Sequence, residues 1–295
     1  MEALKRIGWI GVGAMGGPMA ARLRQAGHTV TACGSGKRDL SQYARENDIL
    51  LAASPAEVAA KSDIVFTMIP NGAVLISIAQ QLAGSIDGKI LVDMSTVDPE
   101  SSACAAETIH AAGGKFLRAP VTGSTHYAKA GTLGIMVSGE KTVFETCLPC
   151  LKVLGDRQTY LGPGEEARYM KIIINMMLAQ SLQAFSEALV LSQKLELPWQ
   201  TTIDLIADSA AAAPIIRYKA STMKQRDFEP TSTGYNMHKD MKMATELAES
   251  VDADLPTARL TMQMYDRLME MGLSQKDNTS ILLVNEALNR RESTN

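Results

Sequence analysis

Ile7-Gly8-Trp9-Ile10-Gly11-Val12-Gly13-Ala14-Met15-Gly16-Gly17-Pro18-Met19-Ala20 begins as an apolar run, turns through glycines and ends in helix-forming residues. Ile7–Ile10 reads as a short buried strand. Gly11, Gly13 and Gly16 fit the spacing G-x-G-x-x-G, and each has its own task. Gly11 permits a tight turn, Gly13 lets the backbone approach a pyrophosphate, and Gly16 lets the new helix pack close to the strand. The helix start then offers unpaired N–H groups and a positive dipole end to the phosphates. Pro18 falls in the first helical turn, where a missing N–H is harmless. Apolar residues recur at Met19, Ala20, Leu23 and Ala26, a helix spanning Met15–Ala26 that stops at Gly27, and a second apolar strand follows at Thr29–Cys33. The competing reading is an ordinary βαβ turn without a ligand.

Working outward, strands are expected at Ile64–Met68, Ile90–Asp93, Lys115–Ala119, Ile135–Ser138 and Thr159–Leu161. Helices are expected between them at Leu40–Asn47, Pro55–Ala60, Val74–Leu82, Pro99–Ala112 and Lys141–Leu154. Short apolar strands alternating with helices imply an α/β, Rossmann-type, doubly wound domain with a mostly parallel sheet, the later strands leaving room for antiparallel pairing. After Gly162-Pro163-Gly164 the pattern changes. Glu165–Leu195 contains no Gly or Pro and carries a helical period, and Pro198 closes it. Further helices are expected at Thr201–Ser209, Pro214–Met223, Met237–Glu249, Pro256–Met271 and Thr279–Arg290. The expected organisation is therefore a dinucleotide-binding domain over residues 1–163 and an all-α domain over 164–295, begun by a long interdomain helix.

Bulk properties exclude other classes. The 295 residues carry a formal net charge of −3, so no basic footprint points to nucleic acid. No apolar run reaches the roughly 18 residues of a membrane span, and Lys5 and Arg6 lead straight into the glycine turn rather than into a signal-peptide pattern. Four cysteines make no disulfide scaffold, and cytoplasmic residence is the expectation. Cys147-Leu148-Pro149-Cys150 is a C-x-x-C, but no second pair accompanies it and apolar neighbours suggest a packed helix, so no metal is expected.

A nicotinamide enzyme needs a proton donor or acceptor beside the hydride site. Lys171 is the candidate: it follows the domain boundary, at the expected interdomain cleft where ligands often bind, and Asn175 shares its helix face at i+4. Lys171 would supply the proton and Asn175 fix the geometry, with Lys171 partly desolvated so that its pKa approaches neutrality; a solvated surface lysine is the alternative. Asp93-Met94-Ser95-Thr96 ends a strand on hydroxyl-bearing residues, which in open α/β sheets face the ligand crevice. Thr96 is a candidate contact there, or else part of a helix cap before Pro99. In the loop Ala119–Ser124, Thr122, Gly123 and Ser124 offer hydroxyls and backbone N–H groups to a small carboxylate. The turn residues Gly11, Val12, Gly13, Ala14, Met15 and Gly16 and the strand end Met68, Ile69 and Pro70 are the cofactor candidates. From Cys33 to Arg38 there is no acid to bind ribose hydroxyls, whereas Ser35, Lys37 and Arg38 suit a 2′-phosphate. NADP is therefore favoured, with NAD as the alternative and a solvated turn as the competing reading of Lys37 and Arg38.

Taken together, these segments resemble the β-hydroxyacid dehydrogenase family, which includes 3-hydroxyisobutyrate dehydrogenases and short semialdehyde reductases. The family's G-x-G-x-M-G-x-P-M-A matches Gly11–Ala20, its D-x-S-T-x-x-P matches Asp93–Pro99, and its K-x-x-x-N matches Lys171–Asn175. Ala119–Leu133 is similar to its A-P-V-S-G-G loop, with Thr122 and Ser124 as departures, and Lys239–Ala244 is similar to its late K-D-L-x-L-A. The resemblance implies catalysis by Lys171 and Asn175, and Lys239 near the nicotinamide. It also implies a homodimer or homotetramer acting on a small hydroxyacid or semialdehyde. A substrate-side Phe of many relatives is Ser232 here, and their Gly-rich turn before the lysine is Gly164-Glu165-Glu166-Ala167, which implies a more polar pocket. Imine reductases and non-catalytic NADP-binding proteins share the architecture; the former usually carry Asp or Tyr, and the latter typically lose the lysine, where this chain has Lys171.

Overall fold

The computed structural model describes residues 4–36 and 38–290. In chain order the first elements are β1 (Arg6–Ile10), α1 (Gly16–Gln25), β2 (Thr29–Cys33), α2 (Ser41–Asn47), β3 (Leu50–Leu51), α3 (Pro55–Ala60), β4 (Ile64–Thr67), α4 (Gly72–Leu82), β5 (Ile90–Asp93) and α5 (Pro99–Ala111). They are followed by β6 (Lys115–Arg118), β7 (Val121–Thr122), α6 (Thr125–Ala130), β8 (Leu133–Gly139), α7 (Lys141–Leu154) and β9 (Gly155–Gly162). The helices α8 (Glu166–Lys194), α9 (Trp199–Asp208), α10 (Pro214–Gln225), α11 (Gly234–Ser250), α12 (Pro256–Glu270) and α13 (Ile281–Leu288) complete the chain, with a 3-10 turn at Asn278–Ser280. Two compact units result, one ending at Lys171 and one beginning at Ile172, so the division falls inside α8.

In the first unit, β3-β2-β1-β4-β5-β6 are parallel neighbours, as βαβ units require. β8 then runs antiparallel to β6 and β7, and β9 pairs parallel with β8. Four of the five residues of β1 are buried, because helices cover both faces of a parallel sheet. The register sets Trp9 opposite Phe66, and their rings stack at 5.5 Å. At Gly8 an added Cβ would lie 2.6 Å from Val58 Cγ1, so α3 packs close over β1 because that position has no side chain. Chain order reverses beside β1, which opens a crevice at the carboxyl ends of β1 and β4.

Elements that sequence periodicity passed over are short. β3 and β7 have two residues each, and α6 spans six directly after the Ala119–Ser124 loop. Such lengths are below what an apolar period can mark. Cys147 and Cys150 are buried in α7, and burial pushes the Cys147 thiol well above its ordinary range, so this pair is core rather than redox chemistry. Among the described residues no cluster of His, Cys, Asp or Glu could hold a metal, and no helix is long and apolar enough to cross a membrane.

The second unit packs Met237, Met241, Tyr265, Leu268 and Ile281 around Ala179 and Leu182 of α8. The methionines fill gaps between these helices. Within α8, burial contradicts side-chain polarity: Arg168, Lys171 and Asn175 are buried, whereas Ile173 and Met177 are exposed.

Candidate functional site

The glycine turn is shaped by three different neighbourhoods. Gly11 has φ +102°, and a Cβ there would lie 2.2 Å from the Met68 carbonyl oxygen. That close approach joins the ends of β1 and β4. At Gly16 a Cβ would sit 2.0 Å from the Gly11 carbonyl oxygen and 2.9 Å from Trp9 Nε1, so the helix reaches the strand only without a side chain. At Gly13 a Cβ would meet nothing within 4 Å. Among the described residues no side chain caps α1. An open turn and an uncapped helix start of ten residues suit a pyrophosphate, whose oxygens would accept from these N–H groups, so a dinucleotide fits the residues present.

Beyond β2, Ser35, Gly36 and Arg38 are exposed. Lys37 lies outside the described residues. Asp39, the first acid after the strand, accepts a hydrogen bond from Ser41 N at 2.9 Å, which commits it to the start of α2. At the end of β4, Met68 and Ile69 are half-buried and Pro70 is exposed. Thr96 is half-buried at the end of β5. The cap of α5 is Asp98, which accepts from Ser101 N at 2.7 Å, so Thr96 is not the capping residue. After β7, Gly123 has φ +126° and Thr122 is half-buried. The Ser124 hydroxyl is buried without a hydrogen-bond partner among the described residues. His126 and Tyr127 are exposed on α6.

Lys171 and Asn175 lie one turn apart on α8, with 8% and 7% of their surfaces exposed. Lys171 is thus not a solvated surface lysine. Asn175 Nδ2 donates to Asp240 Oδ2 at 2.6 Å, and Lys239 Nζ lies 3.2 Å from Asp240 Oδ1 as an ion pair without hydrogen-bond geometry. Asp240 therefore joins Asn175 to Lys239. Sequence reading named both of those residues and missed Asp240, although it directly follows Lys239. Asp240→Ala removes the carboxylate that accepts from the buried Asn175 Nδ2 and is expected to cost about 1–3 kcal/mol of stability; an unchanged urea midpoint excludes the link. The Ser232 backbone is tied to the segment after α12: its N–H donates to Asp277 Oδ2 at 3.4 Å and its carbonyl accepts from Asn278 N at 2.8 Å. Asp277 also carries the buried Lys219, whose Nζ contacts both carboxylate oxygens.

The fold and the glycine turn define a dinucleotide-binding protein. Residues 6–162 match the family described as the NAD binding domain of 6-phosphogluconate dehydrogenase, and residues 166–284 match the NAD-binding domain of NADP-dependent 3-hydroxyisobutyrate dehydrogenase. The chain belongs to the β-hydroxyacid dehydrogenase family. It is 32% identical to glyoxylate/succinic semialdehyde reductase 1 of Arabidopsis thaliana, over 94% of this chain and 96% of that protein. It is 31% identical to the cytokine-like nuclear factor N-PAC of Xenopus tropicalis over 94% of this chain, and spans only 52% of that longer protein. Among solved structures, 3-hydroxyisobutyrate dehydrogenase of Mycobacterium tuberculosis with L-serine shares the fold, with a TM-score of 0.86 at 24% identity, covering 98% of this chain and 100% of that one.

Proposed function

We propose that the chain interconverts a small β-hydroxyacid and its semialdehyde or keto acid, with NADP as the preferred cofactor. The observation that carries this reading is the burial of Lys171 one turn from Asn175 on α8, whose neighbouring Ile173 is exposed. Lys171 is withdrawn from solvent on the helix face it shares with Asn175, where its side chain can carry a proton to or from a substrate oxygen. The bound dinucleotide supplies or accepts the hydride. In reduction Lys171 Nζ gives a proton to the carbonyl oxygen as the alcohol forms, and in oxidation it takes that proton back. Asn175, oriented by Asp240, holds the same oxygen. Thr122, Gly123 and Ser124 bind the substrate carboxylate, and the buried, unpartnered Ser124 hydroxyl supports that role. Ser232 is assigned to the substrate, and Thr96 and Lys239 to the cofactor end of the site. Gly11, Val12, Gly13, Ala14, Met15 and Gly16 hold the pyrophosphate, with Met68, Ile69 and Pro70 beside them.

The NADP preference rests on Ser35, Lys37 and Arg38 and on the engagement of Asp39 with Ser41. The relative named a glyoxylate/succinic semialdehyde reductase favours a short carbonyl substrate. Exposed Tyr169, Ile173 and Met177 on α8 support assembly with a second copy of the chain. The test follows the absorbance of the reduced nicotinamide with NADPH and NADH separately, against short semialdehydes and keto acids, and with β-hydroxyacids in the oxidative direction. Turnover of one carbonyl with preference for NADPH is expected. Turnover of cyclic imines alone, or cofactor binding without any turnover, overturns the proposal.

A further inference from the structure

We propose that Arg168 is a positioning residue: its buried pair with Asp93 holds the α8 turn that carries Lys171 in register with the loops after β4 and β5. The inference rests on the assignment of Lys171 as the proton-transfer group.

Arg168 and Asp93 have fully buried side chains. Arg168 Nη2 donates to Asp93 Oδ2, Nη1 donates to the Ser95 carbonyl at 2.7 Å, and Nε donates to Ser102 Oγ at 3.2 Å. The other Asp93 oxygen accepts from Thr67 Oγ1 at 2.5 Å and from Ser95 Oγ at 2.7 Å. Ser95 Oγ in turn accepts from Ile69 N at 2.9 Å. One guanidinium therefore gathers the end of β4, the end of β5, the start of α5 and the first turn of α8. The segments it joins include Ile69, assigned above to the cofactor, and Ser95, the neighbour of Thr96. Lys171 follows Arg168 by three residues, on a neighbouring part of the same helix face.

Two further tethers act just before it. Glu165 accepts from Arg118 of β6, and Ala167 N donates to Ser138 Oγ of β8 at 3.2 Å. The start of α8 is thus fixed to β5, β6 and β8 within four residues. Stability alone does not call for the charges, since well-packed apolar residues often replace a buried ion pair without loss. What the planar fork adds is direction: its three contacts point in different directions in one plane, and the point charge of a lysine cannot meet all three.

The test compares Arg168→Lys with the double variant Arg168→Met/Asp93→Asn, which removes both buried charges while keeping side-chain volume. Circular dichroism and thermal melting establish that each is folded. The expected result is dinucleotide affinity and substrate KM within about threefold of wild type, with kcat reduced at least 30-fold in both. A loss in the double variant at unchanged melting temperature separates positioning from stability. A folded variant with kcat within threefold of wild type overturns the inference. Lys171→Ala, assayed alongside, keeps the two claims apart: retained turnover there removes the assignment of Lys171 and this inference with it. If wild type turns over no carbonyl, the functional proposal fails, and acylation of Lys171 by an amine-directed reagent, read by mass spectrometry, decides the positioning. A rate changed at least fivefold in the folded double variant is then expected, and an unchanged rate overturns it.

Discussion

Lys171→Ala is expected to lower kcat by about 10²- to 10⁴-fold, the range a positioned general acid or base contributes, while NADPH binding stays within about threefold of wild type. The alanine removes the proton carrier and leaves the glycine turn untouched, so chemistry and cofactor binding should separate cleanly. Lys171→Arg sharpens the test. It keeps a positive charge at a position only 8% exposed, but a guanidinium does not deprotonate in proteins. Loss of turnover in both variants points to proton transfer, whereas activity kept by the arginine would mean that charge alone is required. Retention of more than a tenth of wild-type kcat by the alanine variant removes Lys171 from the chemistry.

Gly11→Ala is expected to destabilise the first unit by about 2–4 kcal/mol, combining left-handed backbone strain with overpacking, and to weaken dinucleotide binding at least a hundredfold. The new methyl would stand 2.2 Å from the Met68 carbonyl, which is backbone and has no rotamer by which to withdraw. Gly13→Ala is the informative contrast. No atom of the chain lies within 4 Å of the added methyl, so melting should be unchanged, yet the methyl occupies the space assigned to the pyrophosphate. Weakened binding at unchanged melting temperature is the expected result. Tight NADPH binding by folded Gly13→Ala would mean that the phosphates lie elsewhere.

Much of the architecture was legible because it is written in local patterns. The helix expected over Glu165–Leu195 is observed over Glu166–Lys194, since neither Gly nor Pro interrupts its period. The glycine turn was equally plain, because Gly11 and Gly16 answer contacts within a few residues or at the end of the next parallel strand and Gly13 keeps the spacing between them. What escaped notice depends on residues far apart in sequence. Asp93 read as a polar strand end beside the crevice, whereas its carboxylate is sealed by an arginine 75 residues later. Asp240 grips Asn175 across 65 residues. No period or motif in a single chain announces such pairings, because they depend on which strand ends and helix turns the fold brings together. The burial of Lys171 beside exposed Ile173 ran against polarity for a related reason: which face of α8 is covered is set by its packing, and apolar residues occur on both faces.

The three glycines of the turn would also age differently. In a descendant that no longer used a dinucleotide, selection on position 13 would lapse at once, since the chain itself makes no demand there. Positions 11 and 16 would persist, held by the Met68 and Gly11 carbonyls for as long as the sheet survived. Glycine at 11 and 16 is thus a record of ancestry, and glycine at 13 is a record of present occupation. A relative that retains the outer pair and has drifted at the middle position would be a fold that has outlived its ligand.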